Sequence, residues 1–413
     1  MPLSRRQVYR RRRIVVFSGL AILLAVLVYG TTTITAAVPA TAATVTQPPV
    51  ATQAAAQLVW PDFGSGAVGA VGFDGLLGST GDPNAVVPIA SITKVITALV
   101  VLDAKPIPAG EEGPAITYTD ADVDIYYDQV AQNASVAPVS DGLVLTEKQS
   151  LTTMLLPSAG NYSVSLATWA YGSVDAYLAA ANAWVVAHGM PSTHVADTSG
   201  LSDDSASSPA DLVTLAKLAV ADPTLTAIVA QKSADIPGVG VVKNTNKMLG
   251  THGVDGIKTG TNDNSGATLL FSAKYAIGSQ TVTVVGTMLG GAGMGDHDVL
   301  DAAVGTVLDG VAAGFHEVPL TTAGAPSATY TTLWGDTATA VSAKDASALV
   351  WSDTPISGVA TAKTLTTADD GDTVGSVAYT VGTQVIEVPL VLKGTIADPG
   401  VGWRLSHPGE LAG

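Results

Sequence analysis

The chain contains no cysteine among its 413 residues, and only 13% of its residues are charged. A chain without cysteine forms no disulfide, binds no metal through thiolates and carries no cysteine nucleophile. Its six histidines show no H-E-x-x-H or comparable ligand spacing, and His188 and His194 are better explained as surface or core residues than as ligands. We therefore expect neither a metal nor another cofactor.

The few charges are unevenly distributed. Residues 1–13 contain six arginines and no acidic residue, whereas the whole chain has a formal net charge of −16. Subtracting the six arginines leaves a net charge of −22 on residues 14–413. A body this acidic argues against binding to nucleic acid through the phosphates.

No charged residue occurs between Ile14 and Asp62, and the first part of this interval is strongly apolar. About 20 apolar residues suffice to cross a bilayer, so we expect a transmembrane signal-anchor over residues 14–36. The arginines before it predict a cytoplasmic head over residues 1–13, a cell-membrane location and a body outside the cytoplasm. A signal peptide cleaved near Ala40-Thr41-Ala42 is the alternative, and it would make the protein secreted.

The composition and the hydrophobic pattern of the rest of the chain change twice. Residues 37–57 are rich in Ala, Thr, Val, Pro and Gln without charge, and they predict an extended spacer. Residues 58–315 mix strand-like and helix-like patterns, which predicts an α+β domain with helices packed on an antiparallel sheet. Residues 316–413 show short Thr/Val/Ala alternations between turns, typical of a small all-β domain.

Local sequence signals predict where several helices begin. Thr146 and Gln149 form a capping-box pattern before an apolar run, and Ser208 with Pro209 marks another start. Further helices are expected from Ser91 to about residue 104, over residues 174–188 and over residues 297–313.

A serine and a lysine stand three residues apart, Ser91 and Lys94, at the head of an apolar helix. Residues three apart share a helix face, and a lysine amine there can accept the proton of a serine hydroxyl and activate it as a nucleophile. A helix-capping serine followed by a solvated lysine explains the same four residues without chemistry. The pair alone does not separate these two interpretations.

Two later segments favour the chemical interpretation. Residues 154–162 read MLLPSAGNY and place Ser158 at a helix end, and residues 256–261 read GIKTGT. A strand containing Lys258, Thr259, Gly260 and Thr261 presents a cation, two hydroxyls and a backbone that a substrate can approach closely. The three segments in this order form a much stronger signal than any one of them.

These segments resemble the D-alanyl-D-alanine carboxypeptidases among the low-molecular-mass penicillin-binding proteins, a group of serine peptidases that trim peptidoglycan stem peptides. The resemblance covers roughly residues 58–413 and includes VPIASITK, LLPSAGNYS, ADTSGLSDD, VDGIKTGT and GWRLSHPGEL. It implies a DD-peptidase-like fold, in which an antiparallel sheet carries a helical subdomain, followed by a β-rich carboxy-terminal domain. It also implies that the partners are stem peptides and β-lactam antibiotics.

The resemblance assigns a role to each matching residue. Ser91 would attack the carbonyl between the two terminal D-alanines, Lys94 would act as the base, and Ser158 would relay a proton to the leaving amine. Lys258 would hold the electrostatics of the site, and Thr259 and Thr261 would bind the terminal carboxylate, with the backbone N–H groups of Ser91 and Thr261 forming the oxyanion hole. For Lys94 to act as a base, its pKa has to lie well below the reference value of about 10.4.

The middle motif departs from the family pattern S-x-N, because Gly160 stands where asparagine is expected and Asn161 follows one place late. Asn161 could bind substrate instead only if the loop is shifted by one residue. Three alternatives stay open: a cross-link-cutting endopeptidase, a weakened or inactive wall-binding homologue, and a class A β-lactamase. The last is disfavoured because residues 166–191 contain no glutamate to activate the deacylating water.

Overall fold

The computed structural model describes residues 4–291 and 297–411, which divide into two compact units. The central unit spans residues 55–316. The flanking unit is discontinuous, because it combines the described residues up to 54 with those from 317 onward. These limits lie within three residues of the expected boundaries at 58 and 315.

The helices of the described chain are α1 (Arg5–Thr35), α2 (Thr93–Ala104), α3 (Asp120–Ala131), α4 (Glu147–Leu155), α5 (Gly160–Tyr171), α6 (Val174–Ala187), α7 (Pro209–Ala221), α8 (Pro223–Val229), α9 (His297–Gly314) and α10 (Gly400–Ser406). Single turns of 3₁₀ helix lie at Ala90–Ile92 and Pro408–Glu410.

The strands are β1 (Thr44–Val45), β2 (Ser65–Ala70), β3 (Gly78–Thr80), β4 (Val87–Pro88), β5 (Ala115–Thr117), β6 (Val144–Thr146), β7 (Ala206–Ser207), β8 (Ser233–Ile236), β9 (Gly240–Lys243), β10 (Val254–Asn262), β11 (Gly266–Ile277), β12 (Gln280–Leu289), β13 (Phe315–Thr321), β14 (Pro326–Thr331), β15 (Thr337–Ser342), β16 (Ala346–Trp351), β17 (Ile356–Ala362), β18 (Thr373–Val381) and β19 (Gln384–Lys393).

The central unit is built on an antiparallel sheet with the strand order β10-β11-β12-β2-β3. Helix α7 packs on β12 and β2, and helix α9 packs on β11. The strand that carries the K-T-G motif, β10, is therefore an edge strand, and one side of its backbone is left for another partner. This arrangement confirms the expected α+β class.

Helix α2 is the centre of the helical part. Residues 93–102 are all buried, and α4, α5, α6 and α7 pack around the helix. A helix that is apolar around its whole circumference belongs in a core, because no face of it is stabilised by water. Burial on all sides fixes the position of its amino-terminal end, where Ser91 lies.

Local sequence signals located two helix starts correctly. Thr146 caps α4, with its hydroxyl accepting from the Gln149 N–H at 3.1 Å, and Ser208 caps α7. Helices α3 and α5 were not expected from the sequence. Helix α5 begins at Gly160 and has no side-chain cap, so it offered none of the usual start signals.

The flanking unit is dominated by a sheet with the order β1-β14-β15-β19-β18-β17, which confirms an all-β carboxy-terminal region. Its other part is α1, a helix of 31 residues that is long and apolar enough to cross a membrane. Helix α1 begins at Arg5, so it includes all six arginines of the segment expected to form a separate head.

The spacer expected over residues 37–57 is corrected by the structure. Strand β1 pairs with β14, with Thr44 opposite Thr329, and isolated bridges join Thr41 to Leu365 and Ala51 to Ile356. Residues 41–51 are therefore part of the β domain and not a free linker. The pairing is long-range in sequence, and nothing in the local composition indicates it.

Candidate active site

The nucleophile candidate lies on a rigid turn. Ser91 is in the single turn Ala90–Ile92, directly before the buried helix α2. Ala90 has a left-handed backbone with φ of 46°, and its carbonyl accepts a hydrogen bond of 2.9 Å from the Thr93 hydroxyl. The partly exposed Ser91 is thus held at the surface end of a fully packed element.

Lys94 contacts this serine directly. Its Nζ donates to Ser91 Oγ at 3.0 Å and to the Ser199 carbonyl at 2.9 Å, and the residue is only 3% exposed. Burial lowers the pKa of Lys94 to about 8, although the negative charge of Asp197 opposes the shift. The direction agrees with the expectation for a base, because the neutral amine becomes accessible near neutral pH.

Residues Asp197 to Leu201, the D-x-S-G-L part of ADTSGLSDD, build the loop that holds Lys94. The Asp197 carboxylate accepts from the N–H of Ser199 at 2.9 Å and of Ser202 at 2.6 Å, which folds the loop into a tight turn. Gly200 has φ of 77°, and a Cβ there would lie 1.7 Å from the Ala90 carbonyl oxygen. Only glycine therefore lets this loop pack against the turn that carries the serine.

Lys258 on β10 is the second buried cation. It is 2% exposed, and its Nζ donates to the Thr259 carbonyl at 3.0 Å and, more weakly, to Thr245 Oγ1 at 3.5 Å. Burial, and then the positive charge of Lys94, push the pKa of Lys258 well below its usual value. Two ammonium groups close together in a buried site disfavour each other's charged form, so the first proton leaves this pair easily.

The other K-T-G-T residues are placed differently from one another. The Thr259 hydroxyl contacts that of Thr245 at 2.6 Å and is nearly buried, whereas Thr261 is exposed and its hydroxyl contacts His297 Nε2 at 2.8 Å. Gly260 has a second reason to be glycine besides substrate approach. A Cβ there would lie 2.9 Å from the Ser91 amide nitrogen, so β10 touches the nucleophile turn through its backbone.

The middle motif is only partly as expected. Ser158 is 6% exposed and has a left-handed backbone with φ of 67°, two residues before α5 begins. Asn161, expected to bind substrate, is instead buried with its amide paired to the backbone of Ala137, at 3.1 Å to the N–H and 3.0 Å to the carbonyl. Its assignment as a substrate-binding residue is therefore corrected: both ends of the amide hold the segment that follows α3 against the start of α5.

Three residues that lie beside the motif residues were not expected from the sequence. Ser199 contacts Lys94 through its backbone carbonyl, and a backbone group carries no side-chain signal in the sequence. The segment around it, ADTSGLSDD, does belong to the resemblance. His297 lies beyond the motifs, and only the folded chain brings it to Thr261. Gln129, on α3, lies in the direction of the side chain that Gly160 lacks.

Comparison with known proteins agrees with this geometry. A family model described as D-alanyl-D-alanine carboxypeptidase matches residues 75–288, which is more than half of the chain. The chain is 29% identical over 188 residues to D-alanyl-D-alanine carboxypeptidase DacA of Escherichia coli, covering 45% of this chain and 46% of the relative. It is 35% identical over 135 residues to a D-alanyl-D-alanine endopeptidase of Pseudomonas aeruginosa, covering 32% and 40%. The matches thus span less than half the length of these curated relatives.

Solved protein structures are similar to the chain as well. A DD-transpeptidase from Streptomyces is similar with a TM-score of 0.53 and 26% identity, covering 61% of this chain and 98% of that protein. A peptidoglycan synthesis regulatory factor from Streptococcus pneumoniae shares the fold with a TM-score of 0.58 at 20% identity, covering 81% and 99%. Taken with the matched motifs, these comparisons show that the chain belongs to the D-alanyl-D-alanine carboxypeptidase family of low-molecular-mass penicillin-binding proteins.

Proposed function

We propose that the protein is a serine-type D-Ala-D-Ala carboxypeptidase that removes the terminal D-alanine from peptidoglycan stem peptides and is acylated by penicillin. One observation carries the proposal: a buried lysine, Lys94, lies 3.0 Å from the hydroxyl oxygen of a partly exposed serine, Ser91. Burial favours the neutral amine that such a base requires, and a solvated lysine would not provide it.

In the proposed reaction, neutral Lys94 accepts the hydroxyl proton while Ser91 Oγ forms a bond to the carbonyl carbon between the two terminal D-alanines. The backbone N–H groups of Ser91 and Thr261 stabilise the oxyanion. The C–N bond then breaks, the amine receives a proton through Ser158, and D-alanine leaves. A water molecule hydrolyses the remaining ester, giving the shortened peptide and free Ser91.

Lys258 and the threonine hydroxyls of β10 would bind the other end of the substrate. The Thr259 and Thr261 hydroxyls are proposed to hold the terminal carboxylate, with Lys258 supplying positive potential when it is protonated. Thr261 is the accessible one of the two in the free protein, while Thr259 would exchange its contact with Thr245 for the carboxylate. Gly260 keeps the strand close to the nucleophile turn.

The first test is labelling of the full chain in detergent with a fluorescent penicillin. We expect wild-type protein to be labelled covalently and Ser91→Ala not to be labelled. Ser233→Ala, which changes an exposed serine on β8, is the matched control and should be labelled like wild type. Failure of folded wild-type protein to label would favour the inactive, wall-binding alternative.

A second assay separates carboxypeptidase from endopeptidase activity. The proposed activity releases free D-alanine from a pentapeptide that ends in D-Ala-D-Ala. An endopeptidase would instead cut a cross-linked dimer of stem peptides without releasing D-alanine from the pentapeptide. The family model and the match to DacA of Escherichia coli favour the first outcome.

We also propose a single-pass membrane location, with α1 as the anchor and the rest of the chain outside the cytoplasm. The support is the length and apolar character of α1 together with the arginines at its amino-terminal end. Protease added to spheroplasts should digest the body of the protein and leave a small membrane-bound fragment. Protection of the body would contradict this topology.

A further inference from the structure

Position 160 and Gln129 compete for the same space. A Cβ at position 160 would lie 2.5 Å from Gln129 Oε1 and 3.4 Å from the Ser135 carbonyl oxygen. Real Cβ atoms do not approach other heavy atoms to 2.5 Å, so no side chain at this position can coexist with the observed place of Gln129. The absence of a side chain at Gly160 thus leaves room for the carboxamide of Gln129, a residue of α3.

The Gln129 side chain is buried, and its carboxamide oxygen has no partner among the described residues. Gln129 is 8% exposed, and its Oε1 has no hydrogen-bond partner among residues 4–291 and 297–411. Asn161 is the neighbouring amide at this helix end, and its two polar atoms are both paired with the backbone of Ala137. A buried amide oxygen without a partner is costly, and such groups are commonly satisfied by a ligand or water.

This carboxamide lies at the same end of α5 as Ser158, the proposed proton relay. Gly160 follows Ser158 by two residues, and the Gly160 carbonyl accepts from Ser163 Oγ at 2.7 Å. Ser163 Oγ contacts Thr198 Oγ1 at 2.9 Å, and Thr198 precedes the residue whose carbonyl holds Lys94. A short series of contacts therefore connects the helix end that Gln129 faces to the base.

We propose that Gln129 is a substrate-binding residue that supplies, from α3, the carboxamide absent at position 160. The ligand group is the backbone amide of the stem peptide on the amino-terminal side of the scissile bond. Gln129 Oε1 accepts from its N–H, and Gln129 Nε2 donates to a neighbouring carbonyl. This assignment rests on the proposed function and adds a specificity residue to it.

Two penicillins distinguish this contact from a packing role. Benzylpenicillin carries an acylamino side chain that mimics the peptide amide, and 6-aminopenicillanic acid lacks it. We expect Gln129→Met, which keeps the side-chain volume but removes the amide, to lower the acylation rate constant for benzylpenicillin about 10- to 100-fold. The rate constant for 6-aminopenicillanic acid should be unchanged. Gln132→Met, at an exposed glutamine just after the same helix, is the matched control and should alter neither rate.

A swap of positions provides the second test. Gly160→Asn alone places two carboxamides in one space, and its Cβ lies 2.5 Å from Gln129 Oε1, so the Gln129 side chain has to move and acylation should fall. Gln129→Ala combined with Gly160→Asn should recover benzylpenicillin acylation to within about tenfold of wild type, since the carboxamide then comes from position 160. Thermal unfolding is measured on every variant. If Gln129→Met does not fold, the swap alone tests the proposed role of Gln129.

Three results would overturn the assignment. The first is that Gln129→Met leaves both rates unchanged. The second is that it lowers both rates equally together with the unfolding temperature. The third is that the swap variant folds but stays inactive. Lack of acylation in wild-type protein is a different result, because it contradicts the proposed function itself.

Discussion

The contact between Gly260 and the nucleophile turn allows a perturbation whose size can be worked out in advance. In Gly260→Ala, the new Cβ would lie 2.9 Å from the Ser91 amide nitrogen, 2.5 Å from Thr268 Oγ1 and 3.2 Å from Ala90 Cβ. Ordinary van der Waals contact begins at 3.4 Å, so relief requires shifts of about 0.5 Å at Ser91 and about 0.9 Å at Thr268.

These shifts act on stability and on chemistry separately. Overpacking of a tight interior costs about 1–3 kcal/mol of unfolding free energy. A misplacement of about 1 Å costs on the order of 100-fold in rate, so about half that distance at Ser91 should lower acylation at least about tenfold. The Ser91 N–H is also a proposed oxyanion donor, so its displacement weakens the stabilisation of the developing charge.

The assay is the second-order rate constant of acylation by a fluorescent penicillin, measured beside the thermal unfolding temperature. Gly402→Ala is the control, because no atom of the described residues lies within 4 Å of the Cβ it adds. Adding Thr268→Ala to Gly260→Ala removes the tightest clash and should restore stability while acylation stays low. A wild-type acylation rate in folded Gly260→Ala would refute the reasoning.

Three further predictions concern the lysine pair and the loops around it. Acylation should become faster as the pH rises through about 8, because burial lowers the pKa of Lys94 to about 8 and only the neutral amine accepts the proton; a rate independent of pH there would contradict this role. Asp197→Asn should move the midpoint of that profile to lower pH, since the negative charge of Asp197 raises the pKa of Lys94; a midpoint at higher pH would be inconsistent with this reasoning. Asn161→Ala should lower the unfolding free energy by about 1–3 kcal/mol, because both polar groups of Ala137 lose their partners. Denaturant titration measures this loss, and an unchanged midpoint would show that Asn161 does not secure the segment.

The sequence predicted those parts of the fold and the site that depend on neighbouring residues. The spacing of Ser91 and Lys94 anticipated their contact, since residues three apart meet at the start of a helix. The caps at Thr146 and Ser208 located α4 and α7 for the same reason. In these cases the side-chain types and their local spacing are sufficient to predict the contact or the helix start.

The features that escaped prediction depend on distant partners. Helix α5 lacks a side-chain cap, and the Asn161 contact that anchors its first turn reaches back to Ala137. That contact also explains why Asn161 does not replace the motif asparagine. The place of Gln129 depends on how α3 packs against α5, and sequence spacing does not encode such packing.

The pairing of β1 with β14 has a consequence for how the chain is made. Its two strands are separated by the whole central unit of about 260 residues, so during synthesis β1 waits roughly 15–50 s for its partner at ~5–20 residues per second. The central unit is complete before the β domain can close. A shortened protein that starts at residue 58 would lack β1 altogether and leave the edge of β14 open to pairing with other chains, so soluble versions should retain residues 41–51.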